Sequence, residues 1–343
     1  MKNFRWILLS LALVSVISIL GVTMKQSRQA KEVRAQIEEL WKKAEQAQKE
    51  GLPRTAAGHL KDITDLALKI DEKGQALKAV VQKLALEGVV EGNKPAERIS
   101  RLQEEMALLP ADLQPVLKLV LARWYWQYFQ RNRWRFLQRS ETAGLEEKDF
   151  TTWDLPRLYR EIGSLYGEVL KKDVLLKTRR LSELADFIEP GNQPPALRPT
   201  LFDFAAWEAL EFYMSGEQAA AEPEDAFEIP ADSAALGPIP EFLAYRPETG
   251  DIESPKLKAL RVFQELLEFH RGDPRPDALL DVDLARLRWV RHTAVGEGGS
   301  DLYLARLKET AEGFPGSELS SMALFLWAEE LKNRGDLRAA FEV

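Results

Sequence analysis

Cysteine is missing altogether from the 343 residues. That excludes disulfides, a thiolate nucleophile, thiolate metal sites and a lipid carried on an N-terminal cysteine. It leaves the compartment open, because a cysteine-free chain tolerates an oxidising or a reducing milieu equally. Histidine is almost as scarce. His59, His270 and His292 each stand alone, without the His-x-x-x-His or Glu-x-x-His spacing of a metal site, and each reads as a surface or packing residue. There is no phosphate-binding glycine loop, no Gly-x-Ser-x-Gly and no dinucleotide fingerprint. Asp281 and Asp283 form an acidic pair of the kind a metal uses, but an acid at a helix start explains them more simply. Arg271-Gly272-Asp273 spells an integrin-type tripeptide, a match short enough to arise by chance. The expectation is therefore a protein that is not an enzyme and holds no cofactor and no metal.

An excess of positive charge is also lacking. The net charge is −7, and without the four basic residues of the first thirty the remainder carries about −11. Such a surface repels phosphate backbones, so no nucleic-acid partner is expected. Hydrophobic residues make up 45% of the chain and charged residues 29%, which is too apolar for general disorder.

What the chain does have begins at its N-terminus. Lys2 and Arg5 precede an uncharged run from Trp6 to Met24 rich in Leu, Ile and Val. Nineteen helical residues reach about 28 Å, close to the hydrocarbon thickness of a bilayer. No small-x-small exit follows, so residues 1–30 read as an uncleaved anchor before a cleaved signal peptide. Both place the rest of the chain in the cell envelope, anchored at the inner membrane or secreted to the periplasm. Lys25, Arg28, Lys31 and Arg34 follow the run and blur the positive-inside contrast that would set orientation.

From Gln29 onward apolar residues recur at helical spacing, and no stretch alternates with period two long enough for a strand. Gly51-Leu52-Pro53 breaks one helix and starts the next, giving an αα-hairpin of tetratricopeptide size. A second pair is expected at 72–91 and 95–108. Leu117, Val120, Leu121, Trp124, Tyr125, Tyr128 and Phe129 then follow an unbroken helical progression, with Arg131, Arg133, Arg135 and Arg139 interleaved with Trp134 and Phe136. The aromatics read as a core-facing stripe with arginines on its flanks. Trp124, Tyr125, Tyr128, Phe129, Arg133 and Trp134 are at the same time the expected face for docking other protein domains. Asp154 with Pro156 starts another helix, and Leu201–Met214 is a further one. Gly216–Asp251, with five prolines and several acids, is expected to be a long surface loop partly ordered around Phe242 and Tyr245. Helices resume with Pro255 in first position, then at 281–290, 301–313 and 318–333. The fold class is thus all-α: a solenoid of tetratricopeptide-like αα-hairpins behind one N-terminal hydrophobic helix. It divides into residues 1–30, a helical region 31–215, the loop 216–251 and a helical region 252–343 that stops inside its next helix.

Several strings resemble the N-terminal helical region of the large bacterial alpha-2-macroglobulin family. They are Leu40-Trp41-Lys42-Lys43-Ala44-Glu45 with Gly51-Leu52-Pro53-Arg54-Thr55-Ala56, and Trp124-Tyr125-Trp126-Gln127-Tyr128 with Asn132-Arg133-Trp134-Arg135-Phe136. Asp149-Phe150-Thr151-Thr152-Trp153-Asp154-Leu155, the most specific, and Ser254-Pro255-Lys256 with Phe263-Gln264-Glu265-Leu266-Leu267 complete the set. The resemblance implies an envelope protease inhibitor of which this chain is a front piece. The family's β-sandwich domains, bait region and Cys-x-Glu-Gln thioester are absent here, so none of its reactive residues carries over. The expected partners are further domains of a longer chain, envelope proteins and proteases, with the membrane engaged through the N-terminal segment. A free-standing tetratricopeptide-type adaptor is the alternative.

Overall fold

The computed structural model describes residues 28–90, 95–137, 149–189, 191–218 and 225–343. Among them the chain is helical throughout, with only two isolated bridges, Arg180 to Thr200 and Pro230 to Val295. The helices are α1 (28–49), α2 (Pro53–Lys69), α3 (Lys73–Val90), α4 (Pro95–Met106) and α5 (Gln114–Leu137). There follow α6 (Leu155–Leu170), α7 (Asp173–Thr178), α8 (Leu201–Tyr213), α9 (Ile239–Ala244) and α10 (Pro255–His270). Last come α11 (Asp277–Thr293), α12 (Gly299–Gly313), α13 (Glu318–Asn333) and α14 (Leu337–Glu342). The chain forms two compact units, one of residues up to Leu117 with Glu183–Glu189, the other of the remaining residues; the boundary falls inside α5.

The first unit is built on small residues. Ala44, Ala56, Ala67, Ala76 and Ala79 are buried beside Leu60, Ile63, Leu77 and Leu84, so the helix backbones can approach closely. Gly51 (φ 71) and Asp71 (φ 60) take the left-handed conformation at the turns on either side of α2. Trp41 donates its Nε1–H to Gln75 Oε1 at 2.6 Å, fixing α1 against α3.

The second unit is held by aromatics. Within α5, Tyr125 meets Phe150 edge-on at 5.0 Å and Trp153 at 5.8 Å, so the Asp-Phe-Thr-Thr-Trp-Asp string packs on this helix. On another side Trp126 meets Phe212 at 5.1 Å and Phe129 meets Tyr159 at 5.3 Å, joining α5 to α8 and α6. Asp149 caps the 3-10 turn Phe150–Thr152, and Asp154 caps α6 as expected. α5 is also interrupted at Asn132 (φ −121), whose side chain donates to the Tyr128 carbonyl.

Two expectations are corrected. The segment expected as a surface loop is ordered core over its described residues 225–251. Phe227, Ile229, Ala235, Leu236 and Phe242 are buried, and the segment forms a 3-10 turn at Ala234–Leu236 and the helix α9. Prolines prevent a regular period there, but they do not prevent burial once the carbonyls find donors. Arg286 gives one N–H each to the carbonyls of Ala235 and Gly237, at 3.0 Å, and its guanidinium lies 4.4 Å over the Phe242 ring. Gln264 Nε2 donates to the Phe242 and Tyr245 carbonyls, the Ala231 N–H donates to the Val295 carbonyl, and the Val295 N–H donates to the Ile229 carbonyl. Gly299 fits here because a Cβ would lie 3.1 Å from the Ala231 Cβ. The second correction concerns Asp281 and Asp283. α11 begins at Asp277, so both lie past its first turn and neither caps it.

Tyr125 is fully buried, and its hydroxyl has no hydrogen-bond partner among the described residues. Tyr125→Phe is therefore expected to leave the melting free energy unchanged or raise it by up to about 1 kcal/mol. Phe129→Ala, emptying an equally closed position, is expected to cost about 3–5 kcal/mol. Thermal melts of the two variants check this; a clear loss from Tyr125→Phe would mean that the hydroxyl is in use.

Candidate functional site

A cluster of buried titratable side chains lies where α8 begins. Thr200 caps this helix, its Oγ accepting from the Asp203 N–H at 3.3 Å, while Asp203 Oδ2 accepts from the Thr200 N–H and hydroxyl at 2.8 Å. This reciprocal box satisfies donors that a helix start leaves free. Asp203 is fully buried, and its other oxygen, Oδ1, lies 2.7 Å from His270 Nε2 at the end of α10. The second ring nitrogen, Nδ1, lies 2.7 Å from Asp273 Oδ2 in the following turn. A ring with carboxylates on both nitrogens donates twice only as imidazolium. Burial alone would lower the His270 pKa, but the bonds and charges of Asp203 and Asp273 outweigh it and raise it above 6.5.

Around this bridge stand a third acid, Asp281, and a second cation, Arg198. Burial raises the Asp281 carboxyl, against the pull of Arg198 and His270. Burial likewise lowers Arg198, whose guanidinium lies 4.0 Å over the Trp207 ring. Lys177 covers the rings of Phe202 and Phe269, which meet edge-on at 5.2 Å beside the bridge. Beside them is a cavity of about 270 Å³ lined by Leu181, Arg198, Phe204, Trp207, Met214 and the carboxylates of Glu208 and Glu211. Glu208 is raised mainly by burial, and its Oε1 is held by Arg123 at 2.5 Å.

Asp283 belongs to a separate buried pair, 2.6 Å from Arg286. Asp281 and Asp283 therefore turn to different partners and do not converge on one point. A third centre is the carboxylate of Glu330 on α13, which accepts from Arg291 Nε at 2.9 Å and Ser300 Oγ at 2.5 Å. The Asp203–His270 bridge and the Glu330 carboxylate each hold one helix to another, whereas Asp283 and Arg286 pair within α11. His270, with both nitrogens engaged, has no free lone pair to act as a base.

The six residues expected to form a docking face are divided. Trp124, Tyr125, Tyr128 and Phe129 are buried within their own unit, whereas Trp134 is 64% exposed and Arg133 pairs with Glu217 on the surface. The docking face is corrected accordingly: α5 carries aromatics on more than one side, and α6, α8 and the Phe150–Trp153 turn enclose them. Trp6 and Met24, the limits of the hydrophobic segment, lie outside the described residues; no helix among the described residues is long and apolar enough to cross a membrane. His59 is half-buried and His292 exposed, the latter 2.7 Å from the Arg288 carbonyl. His270 is the histidine that sequence reasoning missed. Its signal was the Asp three residues on, inside Arg271-Gly272-Asp273, together with Thr200 and Asp203 at capping-box spacing.

Compared with known proteins, the chain matches no family model, no curated protein and no solved structure. Its class is accordingly set by the fold alone: an all-α protein.

A raised histidine stabilises the fold fully below its ordinary 6.5, and this contribution is lost as pH rises through the higher folded-state value. The raised carboxyl of Asp281 acts in the same direction. The unfolding midpoint of the second unit is thus expected to fall as pH is raised above about 6.5. Asp203→Ala is expected to cost about 3–5 kcal/mol near neutral pH and to flatten that slope. Melts of both proteins across pH check it, and an unchanged slope in the variant would contradict the bridge.

Proposed function

We propose that this chain is a non-catalytic helical scaffold held at the cell envelope by residues 1–30, and that it works by contacting other proteins. The observation that carries this reading is an exposed apolar face on the last helices. Met322, Phe325, Leu337 and Phe341 point outward, with Phe325 62% and Phe341 92% exposed. Contiguous exposed apolar side chains mark interaction surfaces. Helices that fold back on their predecessors support it too, as α3 does on α2 and α13 on α12, since tetratricopeptide-like hairpins stack in this way. The uncharged run Trp6–Met24 supports the anchor.

The particular role proposed is that of the N-terminal part of an alpha-2-macroglobulin-like protease inhibitor. It rests on the strings around Trp41, Trp124, Trp153 and Phe263. The coding DNA beyond residue 343 tests it: macroglobulin β-sandwich strands in any frame would support the inhibitor role, and an unrelated gene would leave an adaptor.

The anchor has its own test. Full-length protein is expected to stay with membranes through an alkaline carbonate wash, and a chain starting at residue 31 is expected to be released. Recovery of the full gene product as a soluble protein lacking its first thirty residues would establish cleavage in place of anchoring.

A further inference from the structure

Arg198 is a cation whose donors are unmet. Among the described residues it makes neither a hydrogen bond nor an ion pair, and its Nε is shut off from water. Asp203 and Asp281 act on it only through space, and its guanidinium rests 4.0 Å over the Trp207 ring. A guanidinium has five N–H donors and no acceptor, so a half-buried one that is unpaired leaves donors for an anion. Arg198 and Trp207 line the cavity of about 270 Å³ beside α8, a little below the size that holds a drug-sized ligand. Along α8, Phe204, Trp207, Glu208 and Glu211 follow the spacing of one helix face. Glu211 is exposed at the cavity and has no ion pair among the described residues, whereas Glu208 is held by Arg123. The remaining lining, Leu181, Phe204 and Met214, is apolar and half-buried.

We propose that this cavity binds a small ω-amino carboxylate, with its carboxylate on Arg198, its alkyl chain on the apolar walls and its ammonium on Glu211. The proposal goes beyond the scaffold reading and does not depend on it. Charge and spacing select the class together. A simple anion would meet Glu208 and Glu211, and a simple amine would meet Arg198, so a molecule with both charges answers both ends. Glu211 lies one turn past Trp207, roughly 6 Å along the helix. An α-amino acid carries its two charges on one carbon and cannot reach both ends. A dipeptide has the reach, but it would bury an amide against Leu181, Phe204 and Met214, at the cost of an unmet polar group. An unbranched alkyl chain meets neither objection.

The probe is 6-aminohexanoate, titrated into detergent-solubilised full-length protein with nitrogen-labelled tryptophans. The Trp207 indole signal, identified by its loss in Trp207→Phe, reports the cavity. It is expected to shift with a dissociation constant of about 1 mM or below. Hexanoate and hexylammonium, each lacking one charge, are expected to bind roughly tenfold more weakly, and glycine and alanylalanine likewise. Arg198→Gln is expected to bring 6-aminohexanoate down to the level of hexylammonium, with the other indole signals in place to show that the fold is kept. Glu211→Gln, at an exposed position, is expected to bring it down to the level of hexanoate, and it decides the matter if Arg198→Gln does not fold. An unmoved Trp207 signal would overturn the proposal. So would equal binding of hexanoate or hexylammonium, since one charge would then suffice, and so would undiminished binding by Glu211→Gln. Alanylalanine binding as tightly as 6-aminohexanoate would make a peptide the occupant and overturn the alkyl class.

Discussion

The carboxylate of Asp203 is the point on which the second unit turns. One of its oxygens closes the first turn of α8 and the other holds His270 at the end of α10. Removing a charge this deep would leave an imidazolium and a helix start unsatisfied together, which costs more than either bond alone contributes. Asp273 completes the arrangement from the turn after α10, so three chain segments meet at one ring. The net charge at that ring is set by position, with two carboxylates against one imidazolium and Arg198 and Asp281 nearby.

What the bridge fixes, the aromatic interior fills. Trp126 and Tyr159 meet Phe212 of α8, and Phe202 of the same helix meets Phe269 of α10. α8 therefore carries the aromatic contacts of α5 and α6 on one side and those of α10 on another. Arg286 plays a similar part further along, pinning the segment around Ala235 and Gly237 by its carbonyls. Two buried cations and their acids thus hold irregular or terminal backbone that apolar packing alone would leave with unpaired groups. Such centres stabilise the fold; exposed apolar side chains lie elsewhere, on α13 and α14.

Much of this architecture was legible in the sequence, and the reason is local. Asp154 with Pro156, Ser254 with Pro255 and Ser317 before Glu318 are capping signals, and each marks an observed helix start. The helical period gave α13 its limits, Glu318–Asn333, for the same reason. Three features were not legible. The order in residues 225–251 depends on donors from Arg286 and Gln264, distant in sequence, and leaves no period behind. The partners that enclose Trp124, Tyr125, Tyr128 and Phe129, from α6 and the Phe150–Trp153 turn, left no local mark, although the helical period did read these aromatics as a core-facing stripe and they are buried. His270 looked solitary because its partner Asp203 is 67 residues away.

The most direct measurement is of the His270 ring itself. Nitrogen NMR of the full-length chain with labelled histidines reports which ring nitrogens carry protons, and a His270→Gln variant identifies the signals. The account predicts that both nitrogens of His270 are protonated at neutral pH, with loss of the second proton moved above the ordinary 6.5. A His270 ring with one bare nitrogen at neutral pH would contradict the two-carboxylate bridge, and with it the claim that Asp203 fastens α8 to α10.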